Sequence, residues 1–172
     1  MTSFLDYFKG LVESPVEHKT LHHLHSKVIL LFPQKSENEI AILSCVAGLL
    51  ARVAFVDLDF DHSELEKMAT ILAQWGQIDS KESYELANLA YEEVKELGGL
   101  ENHLYCHPLG TLLDIDKRRS LLGALFAIAA SDESVSGLET EEIRLISKGL
   151  LLEPGDFIAA KFSVKDYLAA LK

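Results

Sequence analysis

Two stretches of the sequence place carboxylates at the same spacing. Each has an apolar run that ends at an aspartate, Asp57 or Asp132, and a glutamate seven residues further on, Glu64 or Glu139. Repetition at a fixed offset is typical of a duplicated structural unit. Because carboxylate oxygens are preferred ligands of Ca²⁺, Mg²⁺ and Mn²⁺, the pattern predicts one acidic site that the chain uses twice.

The first stretch is the more acidic, since Asp59 and Asp61 follow Asp57 at alternate positions. This is the start of an EF-hand loop, but His62 stands where that loop needs glycine and Met68 where it needs a bidentate glutamate. An EF-hand is therefore disfavoured. A different site for a hard cation, built from both stretches, remains open, with these ligands: Asp57, Asp59, Asp61, Glu64, Asp132 and Glu139.

Helix capping offers a simpler explanation of the same carboxylates. Glu64 and Glu139 are each the fourth residue of a capping box, and Asp57 and Asp132 could bond loop amides in Asx-turns. Each aspartate, however, continues the apolar stripe of the helix before it, so we expect it to point inward or into a cleft. A buried carboxylate needs a partner or a cation, so the metal hypothesis rests mainly on the two aspartates.

Histidines form a second candidate metal site near the N-terminus. His18, His22 and His25 share one face of a predicted helix and could chelate Zn²⁺ or Ni²⁺. The alternative is a polar face of partly exposed histidines. A weaker group of soft ligands lies between the two acidic stretches and comprises His103, Cys106 and His107.

Helical periodicity runs through the whole chain, and strand signals are nearly absent. We predict helices over residues 3–12, 15–31, 36–56, 61–76, 79–98, 116–131, 136–149 and 163–171, with a turn or short helix inside 100–113. Asp116 is predicted to cap the helix that begins there. The fold class is therefore all-α: a compact single-domain bundle of about seven to nine helices over residues 1–172. Residues 1–35 form N-terminal helices, and residues 36–99 and 116–172 form two repeats that we expect to be related by a pseudo-twofold axis.

The formal net charge of −11 makes nucleic acid an improbable partner and favours cations or basic protein surfaces. The longest apolar run, 40–56, contains Arg52 and is shorter than the roughly 20 residues of a membrane span. We interpret it as a buried helix, predict no transmembrane segment, and expect a cytoplasmic protein. The sequence has no phosphate-binding loop, dinucleotide fingerprint or nucleophile elbow, which disfavours the common enzyme classes.

The repeated pattern resembles the tellurite-resistance TerB family, whose fold is shared by the N-terminal region of the membrane-anchored DnaJ-like co-chaperone DjlA. The family pattern is a helix that ends in Ala-Asp-Gly or similar, followed by a glutamate, and it occurs twice. Here the copies are Val56-Asp57-Leu58…Glu64 and Ser131-Asp132-Glu133…Glu139, so both glycines are replaced. The resemblance covers about residues 36–151 and implies a helical, acidic protein of bacterial stress response. It also implies metal binding and a protein partner at the inner-membrane surface, without catalysis.

Three functional hypotheses follow. The first is a non-enzymatic module that binds a divalent cation or a protein partner through the two acidic loops. The second is a co-chaperone-like interaction domain without metal, in which a groove takes a partner helix. The third is a metal-dependent hydrolase on a helical scaffold, with a histidine such as His62 near the carboxylates.

Overall fold

The computed structural model describes residues 17–56, 58, 62–97 and 103–168. In these ranges the chain is helical and contains no strand, which confirms the all-α prediction. The helices are α1 (Glu17–Leu31), α2 (Glu37–Phe55), α3 (His62–Gly76), α4 (Ser80–Leu97), α5 (His103–Leu112), α6 (Ile115–Ala129), α7 (Gly137–Gly149) and α8 (Pro154–Phe162). A 3₁₀ turn, Lys165–Tyr167, follows α8, and Val135 donates its N–H to the carbonyl of Tyr167 at 2.7 Å.

Helix α2 lies at the centre of the bundle. It packs against α1, α3, α4, α5, α6 and α7, so side chains are buried around its whole circumference. Among the described residues α2 is the one helix that is long and apolar enough to cross a membrane, yet 72% of its apolar window is buried within the protein. A helix surrounded by other helices must be apolar on every side, which accounts for the run of residues 40–56.

A glycine in α2 allows α5 to approach closely. The Tyr105 ring of α5 lies directly against Gly48, and a Cβ atom at that position would overlap the ring. Tyr105 is fully buried, and burial raises the pKa of its hydroxyl. The middle of α2 thus fixes the position of α5, the short helix that joins the two predicted repeats.

Several helix starts agree with the sequence prediction because their caps are local. The Ser36 hydroxyl accepts from the Glu39 N–H at 3.3 Å, and the Glu39 carboxylate accepts from the Ser36 N–H at 2.9 Å. Asp79 and Glu82 make the same reciprocal bonds at the start of α4, at 2.8 and 3.1 Å. These capping boxes each satisfy two backbone donors that the helix leaves free.

Two boundaries differ from the prediction. Asp114, not Asp116, caps α6 and accepts from the Lys117 N–H at 2.8 Å, because the helix begins at Ile115, just before Asp116. The predicted helix 163–171 is wrong in its described part, since a 3₁₀ turn ends at Tyr167 and Leu168 joins the backbone bridge to Val135. The predicted helix 3–12 and residues 169–171 lie outside the described residues.

The Gly48–Tyr105 contact predicts an unusual response to alanine. Alanine favours helix over glycine by about 1 kcal/mol, but Gly48→Ala would push α5 away from α2. We expect the free energy of unfolding to fall by about 2 kcal/mol, measured by urea denaturation followed by circular dichroism.

Gly123→Ala is the matched control, because Gly123 also lies within a helix but has no neighbouring atom within 4 Å of the added Cβ. We expect it to be neutral or stabilising. Equal effects of the two substitutions would show that helix propensity governs both sites and that the ring contact does not.

Candidate functional site

The second acidic loop joins α6 to α7 and exposes its aspartate. Asp132 is exposed, and its Oδ1 accepts from the Ser134 N–H at 3.0 Å, which is the Asx-turn alternative. Of the two expected directions for Asp132, inward or into a cleft, the inward one is therefore wrong. Helix α6 ends at Ala129, and Glu133 adopts a left-handed conformation with φ of 66°. The chain leaves helical register before it reaches Asp132, so the apolar stripe of α6 does not extend to this residue.

Of the two predicted ligands at this loop, Asp132 and Glu139, the glutamate is the buried one. Glu139 is 3% exposed, and its Oε2 accepts from the Ser136 N–H at 2.7 Å. In return the Ser136 hydroxyl accepts from the Glu139 N–H at 3.1 Å. The capping box predicted here is confirmed, and it occupies one carboxylate oxygen of Glu139.

The first acidic loop joins α2 to α3, and its three aspartates, Asp57, Asp59 and Asp61, lie outside the described residues. Between them Leu58 has φ of 63° and is exposed. Glu64, in the first turn of α3, is 5% exposed. Burial, helped by the charges of Glu92 and Glu64, raises the pKa of Tyr91 in α4.

The two loops share backbone conformations. Leu58 and Glu133 are both left-handed, and each donates its N–H to the carbonyl three residues earlier, at 3.1 Å. Gln77 and Leu151, which follow α3 and α7, are left-handed as well, with φ of 49° and 56°. Matching helix ends therefore recur in the two halves, while the pseudo-twofold relation of the repeats stays a prediction.

A cavity of about 570 Å³ separates α3 from the second acidic loop. We call it the α3–loop cleft. Carboxylates of Glu66 and Glu133 flank it, and Lys67 lies beside them. Its hydroxyl groups come from both sides and belong to Ser63, Thr70, Ser131 and Tyr167. The cleft is polar and carries acidic groups from both predicted repeats.

Sequence reasoning missed two ion pairs of buried glutamates because their partners are distant in the chain. Arg52 of α2 donates to Glu142 Oε1 of α7 from Nη2 at 2.7 Å and from Nε at 3.1 Å. Glu93 of α4, 3% exposed, contacts Lys27 and lies 2.6 Å from His23 Nδ1. These pairs join α2 to α7 and α1 to α4. For the Arg52–Glu142 pair, the position of Arg52 inside an apolar run of the sequence indicated that a buried partner was needed.

The histidine face of α1 is only partly described, since the side chains of His18 and His22 lie outside the described residues. His25 is buried, at 8% exposure, and its Nδ1 lies 3.4 Å from the Ser44 hydroxyl of α2. The alternative of an exposed histidine face is therefore wrong for His25. This side chain is directed into the α1–α2 contact, where Ser44 already contacts it.

Of the soft ligands predicted between the two halves, the structure describes the side chains of Cys106 and His107, which lie in different environments. Cys106 is buried, and its thiol contacts the Ile146 carbonyl at 3.8 Å, whereas His107 on the next position of α5 is exposed. The side chain of His103 is outside the described residues. Burial raises the pKa of the Cys106 thiol to about 12, which disfavours a reactive thiolate.

Within the described ranges, no group of three or more His, Cys, Asp or Glu side chains could hold a metal ion. At the second loop both predicted ligands already accept a backbone N–H, Asp132 from Ser134 and Glu139 from Ser136. The second loop therefore does not by itself fit a divalent cation. His62, the residue suggested for a hydrolase, is exposed and lies 3.5 Å from Glu66 on its own helix.

A family model described as tellurite resistance protein TerB matches residues 43–162. This range contains both acidic loops and most of the helical core. The chain belongs to the TerB family. No curated protein and no solved structure matches the sequence.

The TerB pattern explains the backbone of the two loops. The glycine that follows each aspartate in the family pattern corresponds to Leu58 and Glu133, the two left-handed residues. Glycine adopts this conformation without a steric penalty, whereas other residues lose about 1–2 kcal/mol. The left-handed Leu58 and Glu133 therefore carry strain at both loops.

Restoring glycine should relieve that strain. We expect Leu58→Gly to be more stable than Leu58→Ala by about 1 kcal/mol, because alanine removes the same side chain but keeps the Cβ. The comparison of Glu133→Gly with Glu133→Ala should give the same sign. Thermal and urea unfolding provide the measurement, and an alanine variant as stable as its glycine counterpart would contradict the strain.

The Arg52–Glu142 pair gives a second stability prediction. Arg52→Met leaves the Glu142 carboxylate buried without the guanidinium, and we expect a loss of about 3 kcal/mol. Arg52→Met/Glu142→Leu should recover most of it, because both charges are gone. Arg144→Met breaks the more exposed pair with Glu141 and should lose less than about 1 kcal/mol. A double variant no more stable than Arg52→Met would contradict this account.

Proposed function

We propose that the protein is a non-enzymatic TerB module of bacterial stress response, with a role in tellurite resistance, that binds a basic protein segment through its two acidic loops. The observation that carries the proposal is the arrangement of acidic groups around the α3–loop cleft. Glu133 lines the cleft on one side and Glu66 on the other, and Asp132 is the exposed neighbour of Glu133 in the chain. Glu133 and Glu66 border an open cavity instead of converging on one point, which suits several cationic side chains better than a single ion.

Electrostatics supports the same partner chemistry. The chain carries a formal charge of −11, and a field of this sign increases the association rate of basic partners. The hydroxyl groups of Thr70 and Tyr167, which line the cleft and are exposed, can accept hydrogen bonds from lysine or arginine. A cytoplasmic partner, or one at the inner-membrane surface, would present a basic segment to this face.

A fluorescein-labelled peptide of alternating lysine and alanine residues tests the proposal. We expect its anisotropy to report binding that weakens with salt. The triple variant Glu66→Gln/Asp132→Asn/Glu133→Gln should bind about tenfold more weakly, since it removes three charges from one face.

The control triple variant Glu85→Gln/Glu92→Gln/Asp116→Asn makes the same change in net charge at exposed positions elsewhere. It should weaken binding about twofold or less. Equal losses in the two triple variants would mean that net charge alone attracts the peptide, and the assignment to the α3–loop cleft would be wrong.

A divalent cation at the first loop is the second candidate. Three aspartates fall within five residues there, and the left-handed Leu58 between two of them turns the backbone sharply. Oxygen ligands at alternate positions of a turning loop suit Ca²⁺, Mg²⁺ or Mn²⁺. In this case the second loop would contribute its general negative charge and no direct ligand.

Calorimetric titration with Ca²⁺, Mg²⁺ and Mn²⁺ separates the roles of the two loops. Asp57→Asn/Asp59→Asn should weaken cation binding at least tenfold, because two ligands lose their charge. Asp132→Asn should retain affinity within about twofold, because this carboxylate serves the turn to Ser134. Equal affinity in all three proteins would reject the first-loop site.

A further inference from the structure

A second cavity, of about 550 Å³, lies at the opposite end of α2 from the first acidic loop. Its walls are the N-terminal ends of α2 and α6 and the C-terminal end of α3. We call it the Trp75 cleft. The volume is within the usual range for small-molecule pockets. Because α2 has 19 residues, its two ends are roughly 28 Å apart along the helix axis, and the cleft lies at the N-terminal end.

An aromatic ring forms part of the wall. Trp75, at the end of α3, is the single tryptophan of the chain and packs part-buried against the core. Ile42 of α2 and Leu113, which follows α5, line the same cavity. A half-buried indole between aliphatic side chains offers a flat surface on which a planar ring can stack.

Two lysines give the cleft a local charge opposite to that of the whole protein. Lys35 is held in place, since its Nζ donates to the Gly76 carbonyl at 2.8 Å and lies 3.6 Å from Glu39. Lys117 lines the cleft from the first turn of α6 and is exposed. The Glu39 carboxylate is engaged by the hydroxyl and N–H of Ser36, which lower its pKa.

The balance of charges favours an anion. The cleft is lined by the ammonium groups of Lys35 and Lys117 and by the carboxylate of Glu39. Its net charge is therefore positive, although the whole chain has a formal charge of −11. The amide side chains of Gln74 and Gln77 also line the cavity and can bond the polar edge of a ligand. A hydrophobic wall with a few convergent polar groups is the usual composition of a ligand pocket.

We propose that the Trp75 cleft binds a small molecule that carries both a planar aromatic ring and an anionic group. The ring stacks on Trp75, and the anion pairs with Lys117 and lies near Lys35. This site is independent of the acidic loops and of their partner. It requires both features in one ligand, because either alone contacts only half of the cleft.

Two fluorescent probes that differ in charge test this requirement. 1-Anilinonaphthalene-8-sulfonate carries the rings and an anion, and N-phenyl-1-naphthylamine carries the same rings without it. We expect the sulfonate to bind the full-length protein more tightly and to quench Trp75 by energy transfer. Lys117→Gln should weaken its binding about tenfold and change that of the neutral probe less than twofold, while Lys117→Arg should retain most of the affinity.

Lys148→Gln is the matched control, because Lys148 is an exposed lysine of α7 that does not line the cleft. It should leave binding of the sulfonate within about twofold. Salicylate should displace the bound sulfonate, and the neutral salicylamide should not. Equal effects of Lys117→Gln and Lys148→Gln would overturn the proposal, and so would displacement by salicylamide as strong as by salicylate.

Discussion

Burial of α2 on every side is the constraint on which the rest of the fold depends. Six helices surround it, so nearly every position along it must be apolar or small. Gly48 is small because the Tyr105 ring lies against it. The one arginine in the helix, Arg52, is tolerated because Glu142 receives its guanidinium through two hydrogen bonds. Because packing covers the sides of α2, polar groups are placed at its two ends. The Trp75 cleft lies at the N-terminal end, and the first acidic loop follows the C-terminal end.

The charge distribution follows the same division. Buried glutamates have local or long-range partners: Glu139 bonds its own helix cap, Glu142 bonds Arg52, and Glu93 contacts Lys27 and His23. Such carboxylates stabilise helix starts and helix contacts and add little to the outer field. The excess negative charge therefore acts from exposed groups such as Asp132 and Glu133. For this reason our proposed binding role rests on the exposed residues Asp132 and Glu133 and does not include the buried Glu139.

The sequence predicted those parts of the fold that depend on neighbouring residues. The capping boxes at Ser36, Asp79 and Ser136 are confirmed because each needs only residues three positions apart. The direction of Asp132 was mispredicted because the predicted helix extended to residue 131, whereas α6 ends at Ala129. The Arg52–Glu142 pair joins residues 90 positions apart, and periodicity cannot specify such a partner. The Trp75 cleft combines α2, α3 and α6 and likewise required the tertiary structure.

The family match begins within α2, at residue 43, and therefore covers the C-terminal end of this helix but not its N-terminal end. The matched region, residues 43–162, includes both acidic loops. The Trp75 cleft is divided by this boundary: Trp75 and Lys117 lie inside it, whereas Lys35 and Glu39 lie before it. Lys35 is held by the Gly76 carbonyl at the end of α3, so a residue outside the match completes a wall made by residues inside it. The Trp75 cleft is therefore formed by residues on both sides of the start of the match.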